Sequence, residues 1–468
     1  MSRKRVHLIG IGGTAMGTLA ALLKHRGFEV RGSDQAVYPP MSEFLAAEGI
    51  AVLDGYRDEH IDDSLSFVVV GNAISRGNPE LEAVLDRKLR HVSLPEALRE
   101  HFLWDARSVV IAGTHGKTTT TSLTGWLLTH GGTDPTVFIG GIARNFGSGG
   151  SSYRIGAPKA PFVIEGDEYD SAFFDKTAKF LKYLPDIAVV NNIEFDHADI
   201  YQDLDAVRLA FQRLINLVPR GGLTLLGVDS AEAAALADRA RSRVQTFGTS
   251  ERAEWRAVEI EARGETTSFR LVHEGRDHGR FDVALVGAHN VRNALAAIAV
   301  GRECGVKMET LRDGLMAFRG VKRRLEVVGT RRDVIVYDDF AHHPTAVAET
   351  LRALRAAQPT RRIWAIFEPR SASSCRRVFQ NDFAKAFAAA DEVVVASVFR
   401  SSLPPEERLS EDQLVVDLQR GGTPARHLPD VETIVRQVSG EAKPGDVIVV
   451  MSNGGFGGIH GKLLEALA

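Results

Sequence analysis

The stretch Ile111-Ala112-Gly113-Thr114-His115-Gly116-Lys117-Thr118-Thr119 joins a predicted strand, Ser108 to Ile111, to a predicted helix whose body is Ser122 to Leu128. A glycine-rich turn from strand to helix directs backbone N–H groups and the positive end of the helix at one point, which is the geometry that binds phosphate. Lys117 can reach the outer phosphates of a nucleotide, and Thr118 can offer its hydroxyl to magnesium. A full P-loop also has a glycine five residues before Gly116, where this chain has Ile111.

Composition indicates a multidomain α/β protein of ordinary character. The chain has 468 residues, of which 44% are hydrophobic and 25% charged, so we expect two or three domains with a sizeable core. The net charge of −3 gives no reason to expect nucleic-acid binding. Cys304 and Cys375 stand far apart, which favours reduced, structural thiols. No apolar run approaches the length of a membrane span, so we expect a cytoplasmic protein without a membrane partner.

The N-terminus has the layout of a dinucleotide-binding βαβ unit. Val6 to Ile9 is a predicted strand, and Gly10, Gly12 and Ala15 then satisfy the G-x-G-x-x-G/A pattern. A second predicted strand, Phe28 to Asp34, ends in an acid. By itself this layout fits NAD, but it fits equally the diphosphate of another nucleotide, because backbone and helix dipole read only phosphate.

Acidic and polar residues follow two strands of the central region. Phe162 to Ile164 is a predicted strand, and the acids of Glu165 to Asp170 come directly after it. The predicted strand Ile187 to Val190 is followed at a short distance by His197. Acids at the carboxyl end of a strand beside a phosphate loop are where a Mg·ATP site places a ligand.

The end of the central region combines hairpins with an alanine-rich helix. Alternating residues between about Glu251 and Leu285 predict antiparallel hairpins. Asn290 and Asn293 lie three apart before the predicted helix from Ala294, on one helical face. One of the two amides can be explained as a helix cap, and both together with the preceding histidine can hold an adenine edge.

A third α/β unit begins near Gly320. Polar loops follow three of its predicted strands: Asp338 to Pro344, Glu368 to Ser371 and Ser452 to Gly458. An open sheet binds its ligand at such loops. We therefore divide the chain into domains 1–105, 106–319 and 320–468.

Seven motifs in order make the chain similar to the Mur ligases, ATP-dependent amide-bond-forming enzymes of peptidoglycan metabolism. They are Gly10 to Gly17, Gly113 to Thr119, Glu165 to Asp170, Asn192 to His197, Gly287 to Asn293, Arg323-Arg324, and Asp338 to Thr345. The resemblance implies an N-terminal Rossmann-like UDP-binding domain, a central P-loop ATPase domain and a C-terminal Rossmann-like domain that binds the acceptor.

Two branches of the family take UDP-N-acetylmuramate without a peptide. One adds L-alanine, and the other adds a recycled murein tripeptide, L-alanyl-γ-D-glutamyl-meso-diaminopimelate. The stretches that resemble the tripeptide-adding branch are Val37 to Met41, Gly71 to Pro79, Asp167 to Lys176, Glu368 to Ser371 and Met451 to His460. The resemblance thus implies joining of the tripeptide to UDP-N-acetylmuramate, with L-alanine addition as the alternative.

Residue-by-residue comparison with the family's motifs implies a role for each matching position. The catalytic residues are Lys117, His197 and Arg324. The ATP-binding residues are Gly113, Thr114, His115, Gly116, Lys117, Thr118, Thr119, Asn290, Asn293, Arg324 and Asp339. The magnesium ligands are Thr118, Glu168 and His197. The UDP-substrate residues are Gly12, Gly13, Met16, Ser33, Asp34, Asn72 and His343.

The acceptor-binding residues are placed on two loops of the third domain: Arg370, Asn453, Gly454 and Gly455. Arginine pairs carboxylates bidentately, and N–H groups of a glycine loop can form an anion-binding nest. The chain departs from many family members in one respect, because no lysine lies between Lys182 and Lys307 to supply a carbamate that bridges two metal ions.

Two other classes of function explain only parts of the chain. An NAD-dependent dehydrogenase explains Gly10 to Asp34 but not the phosphate loop. A P-loop NTPase that acts as a motor or switch explains Lys117 but not the first domain.

We expect small-molecule substrates and a monomer or weak dimer.

Overall fold

The computed structural model describes residues 4–38, 41–399 and 403–468, so Pro39 and Pro40 of the stretch Val37 to Met41 lie outside it. Contacts divide the chain into two compact units. The first contains Met1–Glu194, Leu204–Arg256 and Leu295–Gly314, and the second contains Phe195–Asp203, Ala257–Ala294 and Leu315–Ala468.

The N-terminal part of the first unit is a parallel five-stranded sheet in the order β3-β2-β1-β4-β5. Its strands are β1 (Arg5–Ile9), β2 (Glu29–Asp34), β3 (Ala51–Asp54), β4 (Leu65–Val70) and β5 (His91–Ser93). Its helices are α1 (Thr14–His25), α2 (Met41–Ala47), α3 (Pro79–Asp86) and α4 (Leu94–Leu98). The sequence predicts this first helix from about Thr18, but α1 starts four residues earlier, directly after Gly13, whose backbone is extended.

The central part of the first unit has strands in the order β14-β13-β12-β6-β9-β7-β8, parallel except for β7 with β8. The strands of this sheet are β6 (Ser108–Ala112), β7 (Thr136–Ala143), β8 (Ser151–Arg154), β9 (Phe162–Gly166), β12 (Ile187–Val190), β13 (Leu223–Gly227) and β14 (Arg243–Gly248). A separate small hairpin consists of β10 (Asp170–Ala172) and β11 (Asp175–Ala178). The helices are α5 (Lys117–His130), α6 (Leu204–Asn216) and α7 (Ala231–Ala234). Strand β6 therefore has β12 on one side and β9 on the other.

The predicted hairpin region consists of β15 (Trp255–Arg263), β16 (Thr266–His273) and β17 (Arg276–Val283), of which β16 and β17 pair antiparallel as predicted. Two helices follow, α8 (Ala288–Glu303) and α9 (Met308–Met316). Helix α8 begins six residues before the predicted Ala294, so Asn290 and Asn293 lie in its first two turns.

The second unit contains a six-stranded sheet in the order β18-β19-β23-β20-β21-β22, parallel except for β18 with β19. Its strands are β18 (Glu326–Arg331), β19 (Val334–Asp339), β20 (Ile363–Phe367), β21 (Glu392–Val395), β22 (Ala425–His427) and β23 (Val447–Met451). Its helices are α10 (Pro344–Ala357), α11 (Gln380–Ala386), α12 (Glu411–Arg420), α13 (Val431–Glu441) and α14 (Ile459–Ala466).

Alternate side chains of β20 enter the hydrophobic cores on the two faces of this sheet. Ala365 and Phe367 pack in one core, and Trp364 and Ile366 pack in the other. A strand covered on both faces reads as a continuous apolar run, and the run Ile363 to Phe367 accordingly predicts a strand over the residues observed. Within the described residues, no helix combines the length and apolarity that a membrane crossing needs.

Candidate active site

The phosphate loop connects β6 to α5 and has glycine at two positions where the backbone conformation favours glycine over other residues. Gly116 precedes the helix with φ +80°, and Gly113 has φ +135°. A Cβ on Gly113 would also lie 3.0 Å from the Cβ of Asn191. The loop is held from β12 as well, because the N–H of Thr114 donates to Asn192 O at 3.0 Å. The loop is thus a fixed helix N-terminus of the kind that binds anions.

The ammonium of Lys117 lies at this loop and contacts both backbone and carboxylate. Nζ donates to Gly113 O at 2.8 Å and to the two carboxylate oxygens of Glu168 at 2.8 and 3.0 Å. Burial alone would lower the pKa of Lys117, but nearby carboxylates, Glu168 first among them, outweigh burial and raise it. The lysine is therefore a charged group with Glu168 as its counter-ion.

The hydroxyl of Thr118 pairs with a different acid, Glu165. Thr118 Oγ1 donates to Glu165 Oε1 at 2.8 Å, and the N–H of Gly140 donates to Glu165 Oε2 at 2.7 Å. The parallel register of β6 and β9 sets Glu165 opposite Ile111, two residues before the phosphate loop begins. The resemblance implies Thr118 and Glu168 as magnesium ligands, and that role stays a prediction; strand register brings Glu165, an acid to which no role was assigned, to Thr118.

The acids beside the loop form a set of oxygen donors in a buried setting. Burial, followed by the charge of Asp167, raises the pKa of Glu165. Asp167 itself lies 3.6 Å from the ammonium of Lys179. Hydroxyl and carboxylate oxygens are the ligands that a hard divalent cation prefers, and a cation here would offset the crowded negative charge. The donor set therefore fits magnesium.

The N-terminal glycine loop is fastened by the acid that ends β2. The N–H of Gly12 donates to Asp34 Oδ2 at 2.8 Å, and the Tyr56 hydroxyl donates to Asp34 Oδ1 at 3.3 Å. Burial, followed by the charge of Asp34, raises the pKa of Tyr56 to about 12. Ser33 is fully buried and donates to the buried carboxylate of Glu80, so its side chain serves the interior of the domain.

The other predicted UDP-side residues of this domain differ in exposure. Gly13 is exposed and directly precedes α1, whereas Met16 is buried in the first turn of that helix. Asn72 is exposed two residues after β4 ends. Gly13 and Asn72 are thus accessible to a ligand at the carboxyl ends of the strands.

The paired amides of α8 are buried and bonded to each other. Asn293 Nδ2 donates to Asn290 Oδ1 at 3.0 Å, and Asn290 Nδ2 donates to Val286 O at 2.8 Å. Burial lowers the pKa of the neighbouring His289 to about 4, so its imidazole is neutral at pH 7. The arrangement is a neutral, ordered polar edge of the kind that reads a base rather than a phosphate.

Asp339 holds the turn that carries the two arginines. Its carboxylate accepts hydrogen bonds from the N–H groups of Leu325 at 2.7 Å and Ala341 at 2.8 Å. Leu325 has φ +44°, a strained conformation that this bond helps to maintain. The guanidinium of Arg324 lies 5.2 Å from the centre of the Phe340 ring. In this structure Asp339 therefore positions Arg324 through the backbone.

The predicted residues His197 and His343 lie around a buried acid that the sequence had not singled out. Asp196 accepts a hydrogen bond from Ser373 Oγ at 2.5 Å, and the charges of His197 and nearby histidines hold its pKa well below the ordinary value despite burial. His343 Nε2 lies 3.1 Å from Phe195 O. His197 has φ +53°.

The predicted acceptor loops come together at the ends of β20 and β23. Arg370 NH1 lies 3.5 Å from Glu368 Oε1, and Ser452 Oγ donates to the other oxygen of Glu368. The N–H of Gly454 donates to Ser452 Oγ at 2.9 Å, so the loop itself uses that donor. Asn453 Oδ1 is buried and, within the described residues, has no hydrogen-bond partner. Gly455 has open space around its Cα.

Comparison with known proteins places this geometry in a family. Three family models match successive parts of the chain: Mur ligase family, catalytic domain over residues 5–103, Mur ligase middle domain over 111–301, and Mur ligase, glutamate ligase domain over 323–454. A UDP-N-acetylmuramate–L-alanyl-γ-D-glutamyl-meso-2,6-diaminoheptandioate ligase of Haemophilus influenzae is 41% identical over 467 residues, which are 99% of each chain. The chain belongs to the Mur ligase family.

Two further relatives cover this Mur ligase almost completely. The ligase of the same name from Escherichia coli is 40% identical over 466 residues, 99% of this chain and 98% of its own. The crystal structure of a murein peptide ligase from Psychrobacter arcticus superposes with a TM-score of 0.73 at 36% identity and covers 99% of this chain and 98% of that one. The predicted fold class, α/β with three Mur ligase domains, is confirmed.

Sequence reasoning about this Mur ligase missed two acids, one in each compact unit, that lie beside residues with an assigned role. Glu165 was seen only as part of an acidic cluster, although it is the last residue but one of a strand beside the phosphate loop. Asp196 was passed over for the adjacent His197. Glu165 could have been found from its position at the carboxyl end of a strand beside the phosphate loop, and Asp196 from its position next to His197.

Proposed function

We propose that this Mur ligase joins L-alanyl-γ-D-glutamyl-meso-diaminopimelate to UDP-N-acetylmuramate, with ATP converted to ADP and phosphate. The observation that carries the proposal is the 41% identity, over 99% of both chains, to a ligase named for this reaction. The fixed phosphate loop with Lys117 supports the ATP half of the reaction. The cytoplasmic location and the monomer or weak dimer are part of the proposal. So are the domain boundaries 1–105, 106–319 and 320–468.

Making an amide from a free carboxylate is uphill, so the carboxylate first needs a leaving group. The muramyl carboxylate attacks the γ-phosphorus of ATP; a C–O–P linkage forms, and the bond from phosphorus to the bridging oxygen breaks to release ADP. The alanine amine of the tripeptide then attacks the acyl carbon, a C–N bond forms, and phosphate leaves as the amine loses its proton.

The first step brings one anion onto another, and this chain must offset their repulsion. In the proposed mechanism the ammonium of Lys117 exchanges Glu168 for the β/γ-phosphates, and Arg324 contributes a second positive charge. Magnesium, when bound, supplies further positive charge to the phosphates. We propose that Thr118 and Glu165 hold it, with Glu168 close by and His197 at a second metal position.

The remaining roles follow the site geometry. We propose that Asn290 and Asn293 read the adenine, and that Asp339 serves the ribose side while it holds the arginine turn. The residues proposed for the UDP substrate are Gly12, Gly13, Met16, Ser33, Asp34, Asn72 and His343. The residues proposed for the acceptor are Arg370, Asn453, Gly454 and Gly455.

The test is a comparison of acceptors with purified enzyme. ADP release is measured with ATP and UDP-N-acetylmuramate together with either the tripeptide or L-alanine. We expect turnover that depends on the tripeptide, and no turnover with L-alanine. Efficient turnover with L-alanine would assign the enzyme to the L-alanine-adding branch, and turnover that needs neither acceptor would overturn the ligase mechanism.

A further inference from the structure

The guanidinium of Arg370 lies on an aromatic ring that no motif had singled out. Arg370 Cζ is 3.6 Å from the centre of the Phe399 ring. The two residues are neighbours because β20 and β21 are parallel with Phe367 opposite Val395, and each residue comes a few positions after its strand ends. The N–H of Phe399 donates to Pro369 O at 2.9 Å and fixes the approach of the two loops.

The same guanidinium also packs against the glycine loop of β23. A Cβ on Gly454 would lie 2.1 Å from Arg370 Nε and 2.5 Å from Arg370 Cζ. Strand β23 is the other neighbour of β20, with Met451 opposite Phe367. Arg370 follows β20 and is therefore held between the loops that follow the two neighbouring strands, β21 and β23, and the lack of a side chain at Gly454 makes room for it.

The positive charge of Arg370 is only weakly compensated by neighbouring carboxylates. Within the described part of the chain its one carboxylate contact is Glu368 at 3.5 Å, at the limit of a hydrogen bond. By contrast, Arg362 in the same domain contacts Asp446 at 2.6 Å. Aromatic contact orients a guanidinium without neutralising it, because the attraction comes from the ring's quadrupole rather than from a negative charge.

Phe399 is an unusual residue for this position, because 56% of its surface is exposed. An exposed phenylalanine gains little stabilisation from burial, so its role lies in the contact of its ring with the Arg370 guanidinium. We propose that Phe399 is a positioning residue of the acceptor site, whose ring holds the Arg370 guanidinium in the orientation that pairs with a carboxylate of the incoming peptide. This inference rests on the proposed function.

The experiment measures the three KM values and kcat for Phe399→Leu, Phe399→Tyr and Phe399→Trp. Leucine keeps apolar bulk but removes the aromatic face, so we expect the KM for tripeptide to rise about three- to tenfold, as loss of a cation–π contact predicts. The KM values for ATP and UDP-N-acetylmuramate and kcat stay unchanged, and tyrosine and tryptophan restore the wild-type KM. The matched control is Trp104→Leu, which removes another exposed ring, under Arg99 in the N-terminal domain, and leaves all constants unchanged.

A double-mutant cycle shows whether the ring acts through the arginine. In an Arg370→Ala background, Phe399→Leu has no further effect on the tripeptide KM if the inference holds. An equal further rise in that background would mean that Phe399 acts without Arg370 and would overturn the inference. An unchanged KM in the single variant Phe399→Leu would overturn it as well.

A signal that is independent of turnover separates this inference from the proposed function. The Nε–H resonance of Arg370 in the folded protein is expected to be shifted by the ring current of Phe399, and the shift disappears in Phe399→Leu but persists in Phe399→Tyr. If wild-type enzyme shows no tripeptide-dependent ADP release, the proposed function has failed. If wild type is active and Phe399→Leu loses the shift without a change in KM, the positioning role alone is wrong.

Discussion

Replacement of Glu165 by glutamine perturbs the site at the acid that strand register brings to Thr118. Both carboxylate oxygens accept a hydrogen bond, one from Thr118 Oγ1 at 2.8 Å and one from the N–H of Gly140 at 2.7 Å. Glutamine has one carbonyl oxygen, so its NH₂ group faces one of the two donors. An unsatisfied buried donor costs about 1–3 kcal/mol of folding free energy, partly offset because a buried charge is removed.

The effect on catalysis is expected to be larger than the effect on folding. An amide oxygen is a weaker magnesium ligand than a carboxylate, so Glu165→Gln should lower kcat by about 10²- to 10³-fold at low magnesium. Raised magnesium should restore part of the loss. The assay is the initial rate of ADP release across a magnesium titration, with thermal unfolding measured on the same samples.

The matched control is Glu168→Gln, which changes the acid on Lys117 instead of the acid on Thr118. Lys117 keeps its bond to Gly113 O in this variant. We expect a smaller loss of kcat with little dependence on magnesium. If Glu168→Gln is rescued by magnesium and Glu165→Gln is not, the pairing of Thr118 with Glu165 does not mark the metal site, and Glu168 is the ligand.

Three further predictions test other parts of the structure. Lys117→Ala should lower turnover by about 10²- to 10³-fold with an unchanged circular dichroism spectrum, and a folded variant with more than a tenth of wild-type turnover contradicts this role. Arg370→Ala should raise the tripeptide KM by about ten- to a hundredfold and leave the ATP KM unchanged, and steady-state kinetics that show no change in the tripeptide KM would remove Arg370 from the acceptor site. Asp446→Asn should destabilise the protein by about 1–3 kcal/mol at pH 7, because Asp446 pairs with Arg362 and its pKa is held below the ordinary value although burial opposes this. That stabilisation is present above the unfolded-state pKa and is lost as pH falls through the folded-state pKa. The free energies of unfolding of wild type and variant, measured with urea, should therefore converge as pH falls below about 4. A difference that stays constant with pH would contradict the linkage.

Local sequence determined the phosphate loop and most of the strands around it. The loop lies where the glycine-rich stretch predicted it. Gly113 and Gly116 adopt positive φ, a conformation that glycine reaches easily and other residues rarely adopt, so the two glycines mark the turn in the sequence. Strands such as β12 and β20 begin and end at the predicted residues, since parallel strands buried on both faces read as uninterrupted apolar runs. Helix starts were less well predicted: α1 and α8 begin four and six residues early, because a helical turn needs no apolar periodicity to continue backwards to its cap.

Only the tertiary structure decided which side chains of the site meet. The run Glu165 to Asp170 offers several acids with similar local surroundings, and nothing in their spacing says that Glu165 bonds to Thr118 while Glu168 bonds to Lys117. Likewise, Phe399 is linked to Arg370 through the order β23-β20-β21 and not through any motif. The sequence establishes which residues end each strand, but the partner across a sheet depends on strand order and register, which come from packing of the whole domain.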